Sequence, residues 1–257
     1  MNALKKTGFF FSFPLFSLFL FSRPLVLLPL LMLPMFMLFS CATGIGGVVR
    51  EGGAAELTLN SSVGPRTTAL LRSLRSFAGD GASAPILDVS AISRSMAAAP
   101  GVRTVSLRNT GDETINGTIS IVNIGDFLAM SNTGSRFITF TESRQVSSIV
   151  INLDRASAPQ ILSMLSPEIT DYLSALMAPV VLGETMNARE YLDLVASIYS
   201  RPLANEIAEA RIRGTLQLPR PVTAIHGGTF SGNRAEFDIP LLDILLLERT
   251  LRYEIHW

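Results

Sequence analysis

The side chain with the most distinctive chemistry in this 257-residue chain is Cys41, because it is the only cysteine. A deprotonated thiol is a strong nucleophile and a metal ligand. A single cysteine cannot form an internal disulfide, and it cannot supply a thiolate metal cluster. Cys41 is preceded by a long apolar stretch and followed by small residues, in the segment PMFMLFSCATG at 34–44. We therefore expect the chemistry of Cys41 to be a modification at the end of an apolar leader.

The two histidines, His226 and His256, are the side chains that could perform acid–base catalysis near neutral pH. His226 lies in the segment AIHGGTFSGN, where Gly227-Gly228 and Gly232-Asn233 predict turns. No serine or cysteine motif accompanies His226, so the sequence does not favour a catalytic role. His256 falls on the outward side of an alternating strand pattern, which indicates a structural or inert role.

Lysine is absent after Lys6, so the 217 residues from Cys41 onward contain 18 arginines and no lysine. This composition excludes a serine–lysine dyad, a lysine Schiff base and the lysine of a phosphate-binding loop. The same 217 residues contain 21 Asp and Glu and carry a net charge of −3, which predicts no general nucleic-acid binding. No cluster of His, Asp and Glu predicts a metal site, and we expect no cofactor.

The first 40 residues have the three parts of a secretory leader. Residues 1–8 carry Lys5 and Lys6, residues 9–39 are almost wholly apolar, and Ser40 is a small residue at the boundary. The whole chain is 48% hydrophobic with a mean hydropathy of +0.38, and nine of its 15 phenylalanines precede position 41. The remainder has an ordinary globular composition and is long enough for one sizeable core.

The leader and its cysteine resemble the precursors of bacterial lipoproteins, whose lipobox consists of a leucine, two small residues and a cysteine. Leu38, Ser40 and Cys41 match this pattern, and Phe39 stands where a small residue is usual. The resemblance implies that Cys41 receives a diacylglycerol thioether, that cleavage occurs between Ser40 and Cys41, and that the new amino terminus is acylated. Such acyl chains contribute about 0.8 kcal/mol per buried methylene. Ala42, in place of an aspartate, favours the outer membrane over the inner membrane.

Two other interpretations of the leader stay open. An uncleaved transmembrane anchor is one, because about 20 apolar residues can span a membrane, although four prolines weaken a helix here. The other is an ordinary signal peptide that leaves Cys41 as a free thiol. In addition, residues 24–39 form a sufficient apolar region behind Arg23, so translation could begin downstream of Met1.

Hydrophobic periodicity predicts the elements that would position these groups. The glycine-rich segment 42–54 predicts a flexible tether. Helical spacing predicts helices over 66–78 and 88–99 and several between 156 and 210, one of them capped by Asn187 and Glu190. Alternating patterns predict strands over 54–59, 102–109, 117–124, 135–142, 146–154, 211–219, 235–239 and 251–257.

The charged residues of the predicted helices have two possible roles. Arg66, Arg72 and Arg75 lie on the first predicted helix and are candidates for contacts with phospholipid headgroups close to the anchor. Each charge would contribute about 1 kcal/mol at an anionic surface. The alternative is an ordinary solvated helix face. Glu206 and Glu209, three residues apart on a later predicted helix, are interpreted as surface charge.

Strand clusters that are separated from helix clusters predict an α+β fold. One-sided alternation indicates an antiparallel sheet, here of about six or seven strands, with helices packed on one face. The predicted organisation is a lipoprotein signal peptide at 1–40, a lipidated flexible tether at 41–54 and a single α+β domain at 55–257. The resemblance covers the leader alone, and the folded domain is not assigned to a family.

The predicted function is that of a lipid-anchored cell-envelope protein facing the periplasm or the cell surface. Its folded domain would be a non-enzymatic module that binds a protein, lipid or cell-wall partner. One alternative is an envelope hydrolase, which requires a concave polar site that holds His226 near a serine and a carboxylate. The other is a carrier of an apolar ligand, which requires an internal cavity lined by residues such as Leu173, Leu176 and Tyr191.

Overall fold

The computed structural model describes residues 42–78, 88–130, 137–163 and 167–257, all of which belong to one compact unit. The strands of these ranges are β1 (Ala42–Val49), β2 (Ala55–Ser62), β3 (Val102–Gly111), β4 (Thr114–Ile121), β5 (Ile138–Thr141), β6 (Ser148–Leu153), β7 (Arg211–Gln217), β8 (Ala224–His226), β9 (Thr229–Ser231), β10 (Arg234–Pro240) and β11 (Leu251–His256). The helices are α1 (Pro65–Ala78), α2 (Val89–Ala97), α3 (Ile124–Met130), α4 (Ala158–Ser163), α5 (Pro167–Leu176), α6 (Ala178–Val181), α7 (Ala188–Ile198), α8 (Arg201–Glu209) and α9 (Leu241–Leu246).

The strands form two sheets. The larger sheet has seven strands in the order β3-β4-β2-β1-β7-β10-β9, and the smaller sheet has four in the order β5-β6-β11-β8. Neighbouring strands are antiparallel, except that β1 and β7 run parallel. The predicted α+β fold with a seven-stranded sheet is therefore confirmed. The sequence did not predict the smaller sheet or the parallel pair.

The larger sheet has one polar side and one apolar side, as its alternating sequences predict. On the polar side the register aligns Thr58 of β2 with Gly46 of β1, and Gly46 with Thr215 of β7. Four charged residues of β7 and β10 on this side are exposed, namely Arg213, Arg234, Glu236 and Asp238, and Arg211 is half-buried. The apolar side carries the side chains that form the core.

The core on the apolar side is built from both sheets and from the helices. Leu218, Ala235, Ile255 and Trp257 belong to one buried cluster that joins the two sheets. A second cluster is centred on Ile119, against which α2 and α3 pack, and a third buries the inner sides of the later helices. Helices α2 and α3 and the smaller sheet therefore pack on the apolar side of the larger sheet, and the later helices pack against residues of the smaller sheet such as Leu153 and Leu251.

Several helices begin at the residues that the sequence predicts. The Asp88 carboxylate accepts a hydrogen bond of 2.9 Å from the backbone N–H of Ala91 at the start of α2. At α7, the Asn187 side chain accepts from the backbone N–H of Glu190, and the Glu190 carboxylate accepts from that of Asn187. These bonds satisfy N–H groups that have no partner within the helix. The predicted capping arrangement at Asn187 and Glu190 is confirmed.

The predicted flexible tether is wrong for the described residues 42–49, which form β1 in the middle of the larger sheet. Seven residues of β1 pair with β2 and seven pair with β7. Gly47 is buried, and a Cβ atom there would lie 2.6 Å from Cδ2 of Leu216. Glycine in β1 is therefore not a sign of a mobile chain, because it makes room for side chains of the flanking strands.

Candidate functional site

The predicted lipidation and cleavage site, Ser40 and Cys41, lies outside the described residues, so both assignments stay predictions. The described chain begins at Ala42, the residue that follows Cys41 in the sequence. Ala42 pairs with Arg211 at the start of β7, and Thr43 pairs with Ser61 near the end of β2. We call this region, where β1 begins, the β1-start end of the larger sheet.

The β1-start end also contains elements from further along the chain. Ser62 at the end of β2 pairs with Thr114, so the β3–β4 turn at Asp112 and Glu113 lies at this end of the sheet. Pro240 at the end of β10 pairs with Arg211. Helix α1 begins three residues after β2 ends, so its first turn is at the same end.

The structure brings the candidate headgroup-binding arginines of α1 to the β1-start end. Arg72 donates a hydrogen bond of 3.3 Å to the Asp112 carboxylate and lies 4.0 Å from the Glu113 carboxylate. The exposed Arg66 side chain makes no ion pair with the described residues. The side chain of Arg75 is not among those described. Arg66 is therefore available for an external anion, whereas Arg72 already holds two carboxylates.

A carboxylate from α8 holds the first turn of α1 in place. The buried Glu206 side chain accepts hydrogen bonds from the backbone N–H groups of Arg66 (2.9 Å) and Thr67 (2.8 Å) and from the Thr67 hydroxyl (2.7 Å). These donors have no partner within the helix, and the positive end of the helix dipole favours an anion. The interpretation of Glu206 as surface charge is therefore wrong. Its partners lie about 140 residues away in sequence, so helical spacing alone could not predict them.

His226 lies at the end of β8 and lines a cavity of about 390 Å³. The carboxylates of Asp238 and Asp243 line the same cavity, together with the arginines Arg211, Arg249 and Arg252. Asp238 lies 3.9 Å from Arg213, and Asp243 lies 3.9 Å from Arg249. An adjoining cavity of about 690 Å³ shares Gly227 and Asp238 with it. His226 is thus in a concave polar region, beside charges that pair with one another.

The cavity around His226 lacks an arrangement for nucleophilic catalysis in the described part of the chain. A histidine activates a serine or cysteine by accepting its proton at hydrogen-bond distance. The described residues that line this cavity include Thr250 but neither serine nor cysteine, and no hydrogen bond joins His226 to another described side chain. In the described ranges, His, Cys, Asp and Glu form no group of three that could hold a metal ion.

Tyr253 lines the same cavity and keeps its hydroxyl protonated. Burial raises the pKa of Tyr253, the negative charge of Asp243 raises it further, and the positive charge of Arg249 opposes this change. The ring packs edge-on against Phe237, with centroids 5.7 Å apart. Tyr253 therefore joins the two sheets as an uncharged side chain that is partly apolar.

The second histidine, His256, belongs to a charged row on the outer side of β11. Its Nε2 atom lies 2.6 Å from the Glu254 carboxylate, which also accepts hydrogen bonds from Arg252. The hydrogen bonds from Arg252 and then from His256 hold the pKa of Glu254 below its ordinary value. The predicted outward direction of His256 is confirmed, since Leu251, Ile255 and Trp257 on the other side of the strand are buried.

The residues proposed to line a carrier cavity lie in the core. Leu176 and Tyr191 are buried in one cluster with Met177, and Leu173 packs against that cluster. The Tyr191 hydroxyl donates a hydrogen bond of 3.0 Å to the Leu176 carbonyl. These described side chains are in contact with one another, which does not favour a ligand cavity between them. No helix in the described ranges combines the length and the apolar character that crossing a bilayer requires.

Comparison with known proteins assigns no family. No family model matches the chain, and no curated protein sequence matches it. Among solved structures, the chain is similar to the folded domain of the LppM protein of Mycobacterium tuberculosis, determined by NMR. The alignment has a TM-score of 0.36 and 7% sequence identity, and it covers 85% of this chain and 89% of the other. At this level the similarity carries no argument about function.

Proposed function

We propose that the chain is a lipid-anchored protein of the bacterial cell envelope, whose folded part is a non-enzymatic binding or structural module. The observation that carries the proposal is the leader, which ends in Leu38, Ser40 and the only cysteine of the chain, Cys41. A diacylglycerol thioether and an amino-terminal acyl chain on Cys41 would anchor the protein stably, because two or more chains suffice. The partner at the membrane is a protein, a lipid or a cell-wall component.

The structure changes the proposed division of the chain. The signal peptide stays at 1–40 and the lipidated residue at Cys41, but the proposed folded domain now includes residues 42–49, because β1 is part of the larger sheet. Ala42 supports the outer membrane as the destination, under the sorting rule in which an aspartate at this position retains lipoproteins at the inner membrane.

Mass spectrometry of the mature amino-terminal peptide tests the proposal. The protein is expressed in a bacterium that processes lipoproteins, and the membrane fraction is digested and analysed. We expect a peptide that begins at Cys41 and carries the added mass of diacylglycerol and an acyl chain. Cys41→Ala should abolish the added mass and leave the leader attached, because cleavage at a lipobox follows lipidation.

Substitutions beside Cys41 provide matched controls. Ser40→Ala keeps a small residue before the cysteine and should leave processing intact, whereas Ser40→Leu should slow it. Phe39→Ala brings the sequence closer to the usual lipobox and should increase the processed fraction. A mature protein that begins elsewhere, or that carries an unmodified Cys41, would contradict the proposed anchor.

A further inference from the structure

Because no tether separates Cys41 from the sheet, the orientation of the folded domain at the membrane is restricted. Consecutive Cα atoms are about 3.8 Å apart, so a lipidated Cys41 would hold Ala42 within that distance of the anchored residue. From Ala42 onward, β1 is paired on one side with β2 and on the other with β7. The chain between anchor and sheet is therefore too short for the domain to turn freely above the bilayer.

Sheet geometry determines which other residues are close to the anchor. Neighbouring strands lie about 4.8 Å apart, so the ends of β2 and β7 are about 5 Å from β1, and those of β4 and β10 about 10 Å. At about 3.3 Å per residue, the eight residues of β1 extend about 25 Å. The exposed Glu51 follows the far end of β1, whereas the exposed Asp112 lies in the β3–β4 turn at the β1-start end.

Two arginines at the β1-start end suit lipid phosphates, although the exposed Glu209 lies two residues before Arg211 in the sequence. Arg66 and Arg211 make no ion pair with the described residues, whereas Arg72 offsets one of the two negative charges of the β3–β4 turn. The cavity beside Arg211 contains the carboxylates of Asp238 and Asp243, but each of these lies within 4 Å of another arginine. A guanidinium group presents a planar set of donors that matches the oxygens of a phosphate.

We propose that the β1-start end lies on the bilayer surface, where Arg66 and Arg211 bind lipid phosphates, and that β1 extends away from the membrane. This inference rests on the proposed lipidation of Cys41. It gives the domain one orientation, with the Asp112 turn at the headgroups and Glu51 about 25 Å further out.

Two labels on the lipidated full-length protein test this orientation. Asp112→Cys and Glu51→Cys are made separately and carry a nitroxide, since the thioether prevents labelling of Cys41. The protein is placed in phosphatidylethanolamine–phosphatidylglycerol vesicles that contain a lipid with a chelated nickel headgroup. The measured quantity is the increase in the relaxation rate of the nitroxide that the nickel lipid causes. We expect this increase to be at least fivefold larger for the Asp112→Cys label than for the Glu51→Cys label. Equal relaxation of the two labels would overturn the proposal.

A linker tests whether the short connection sets the orientation. Twelve Gly and Ser residues between Cys41 and Ala42 form a coil of about 19 Å. They should reduce the ratio of nickel-induced relaxation between the two labels at least twofold. The same twelve residues inserted after Thr185, in the exposed connection between α6 and α7, are the matched control and should leave the ratio of relaxation between the labels unchanged. An unaltered ratio with the linker at Cys41 would contradict the role of the short connection.

Arginine substitutions test the binding of lipid phosphates. The double variant Arg66→Gln and Arg211→Gln should lower the ratio of nickel-induced relaxation between the two labels at least twofold, and Arg234→Gln, which alters an arginine that already pairs with Glu236 at the opposite end of β10, should not. No change in the double variant would overturn the phosphate contacts. The mass of the Cys41 peptide is measured in every preparation. An unmodified Cys41 would overturn the proposed anchor. An acylated Cys41 together with equal nickel-induced relaxation of the two labels would overturn the proposed orientation alone.

Discussion

β1 and β11 each lie between two neighbouring strands, but different side chains fill the space beside their backbones. In β11 these are mainly its own side chains, and in β1 they are mainly those of the neighbouring strands. β11 fills its buried side with its own residues, and Leu251 and Ile255 are both at most 5% exposed. β1 has glycine at positions 44, 46 and 47, and its neighbours supply the side chains. A Cβ atom at Gly47 would lie 2.6 Å from Leu216 of β7 and 3.0 Å from Leu57 of β2.

This difference shows that a strand can hold a central position with one buried apolar side chain of its own, here Val49 at its far end. The backbone of β1 supplies hydrogen bonds to both neighbours, and the leucines of those neighbours cover it. Apart from the burial of Val49, its contribution to stability is then mainly that it completes the sheet. β11 contributes in addition the burial of large side chains, each of which stabilises the fold by about 1.5–3 kcal/mol.

Removal of β1 should have the largest effect. We compare an unlipidated fragment of residues 42–257 with one of residues 55–257, which corresponds to the domain predicted from the sequence. Loss of β1 leaves the facing edges of β2 and β7 without partners and exposes Leu57 and Leu216. We expect the shorter fragment to aggregate or to lose its cooperative thermal transition, as measured by circular dichroism and light scattering. Equal melting temperatures of the two fragments would support the tether and contradict a structural role for β1.

A pair of glycine substitutions in β1 should have an intermediate effect. Gly47→Val places a side chain in the space that Leu216 and Leu57 occupy, and overpacking of this kind typically costs about 1–3 kcal/mol. Gly44→Val is the matched control, because the nearest atom to a Cβ there is 3.7 Å away. The free energy of unfolding in urea should fall for Gly47→Val and change by less than about 0.5 kcal/mol for Gly44→Val. The interpretation of the glycines would be wrong if both variants were equally stable.

The same contrast explains which strands and helices the sequence could predict. β11 and β7 alternate regularly, and their apolar residues do face the core. The helix start at Asn187 was predicted because both of its capping side chains lie within three residues of each other. These signals are local, so one segment contains all the information. β1 was missed because its glycines resemble a linker, and β8 and β9 because strands of three residues show no period.

The arrangement at the β1-start end depends on contacts between distant segments. The sequence predicted Arg66, Arg72 and Arg75 as candidates for headgroup contacts, which stays a prediction, and it could not show that Arg72 holds the Asp112 turn. The register partner of Ala42 is Arg211, which is 169 positions later in the chain and was not recognised. Glu206 was assigned to the surface for the same reason, since its capping partners lie in another helix. Pairings of this kind follow from the tertiary fold and not from periodicity.

Acid should slightly lower the local stability of β11 and leave that of β1 almost unchanged. The reason is that β11, unlike β1, carries a charged row on its outer side. Hydrogen bonds from Arg252 and then from His256 lower the pKa of Glu254 in the folded protein. A lowered folded-state pKa gives stability that is present above the ordinary pKa of a glutamate, about 4.3, and is lost as the pH falls through the folded-state value. Hydrogen exchange of the β11 amides should therefore be faster below about pH 4 than the intrinsic pH dependence of amide exchange predicts.

Glu254→Gln removes the titrating carboxylate and should make the exchange of β11 amides less dependent on pH in this acidic range. Glu56→Gln is the matched control, because Glu56 lies on the polar side of β2 and its carboxylate is 3.8 Å from an exposed arginine, Arg50. The exchange of β1 amides should change little in either variant, since Gly44 and Gly46 on the same side of the sheet carry no titrating groups. If β1 and β11 opened together as the pH fell, the charged row would not be a local stabiliser of β11, and the two sheets would unfold as one cooperative unit.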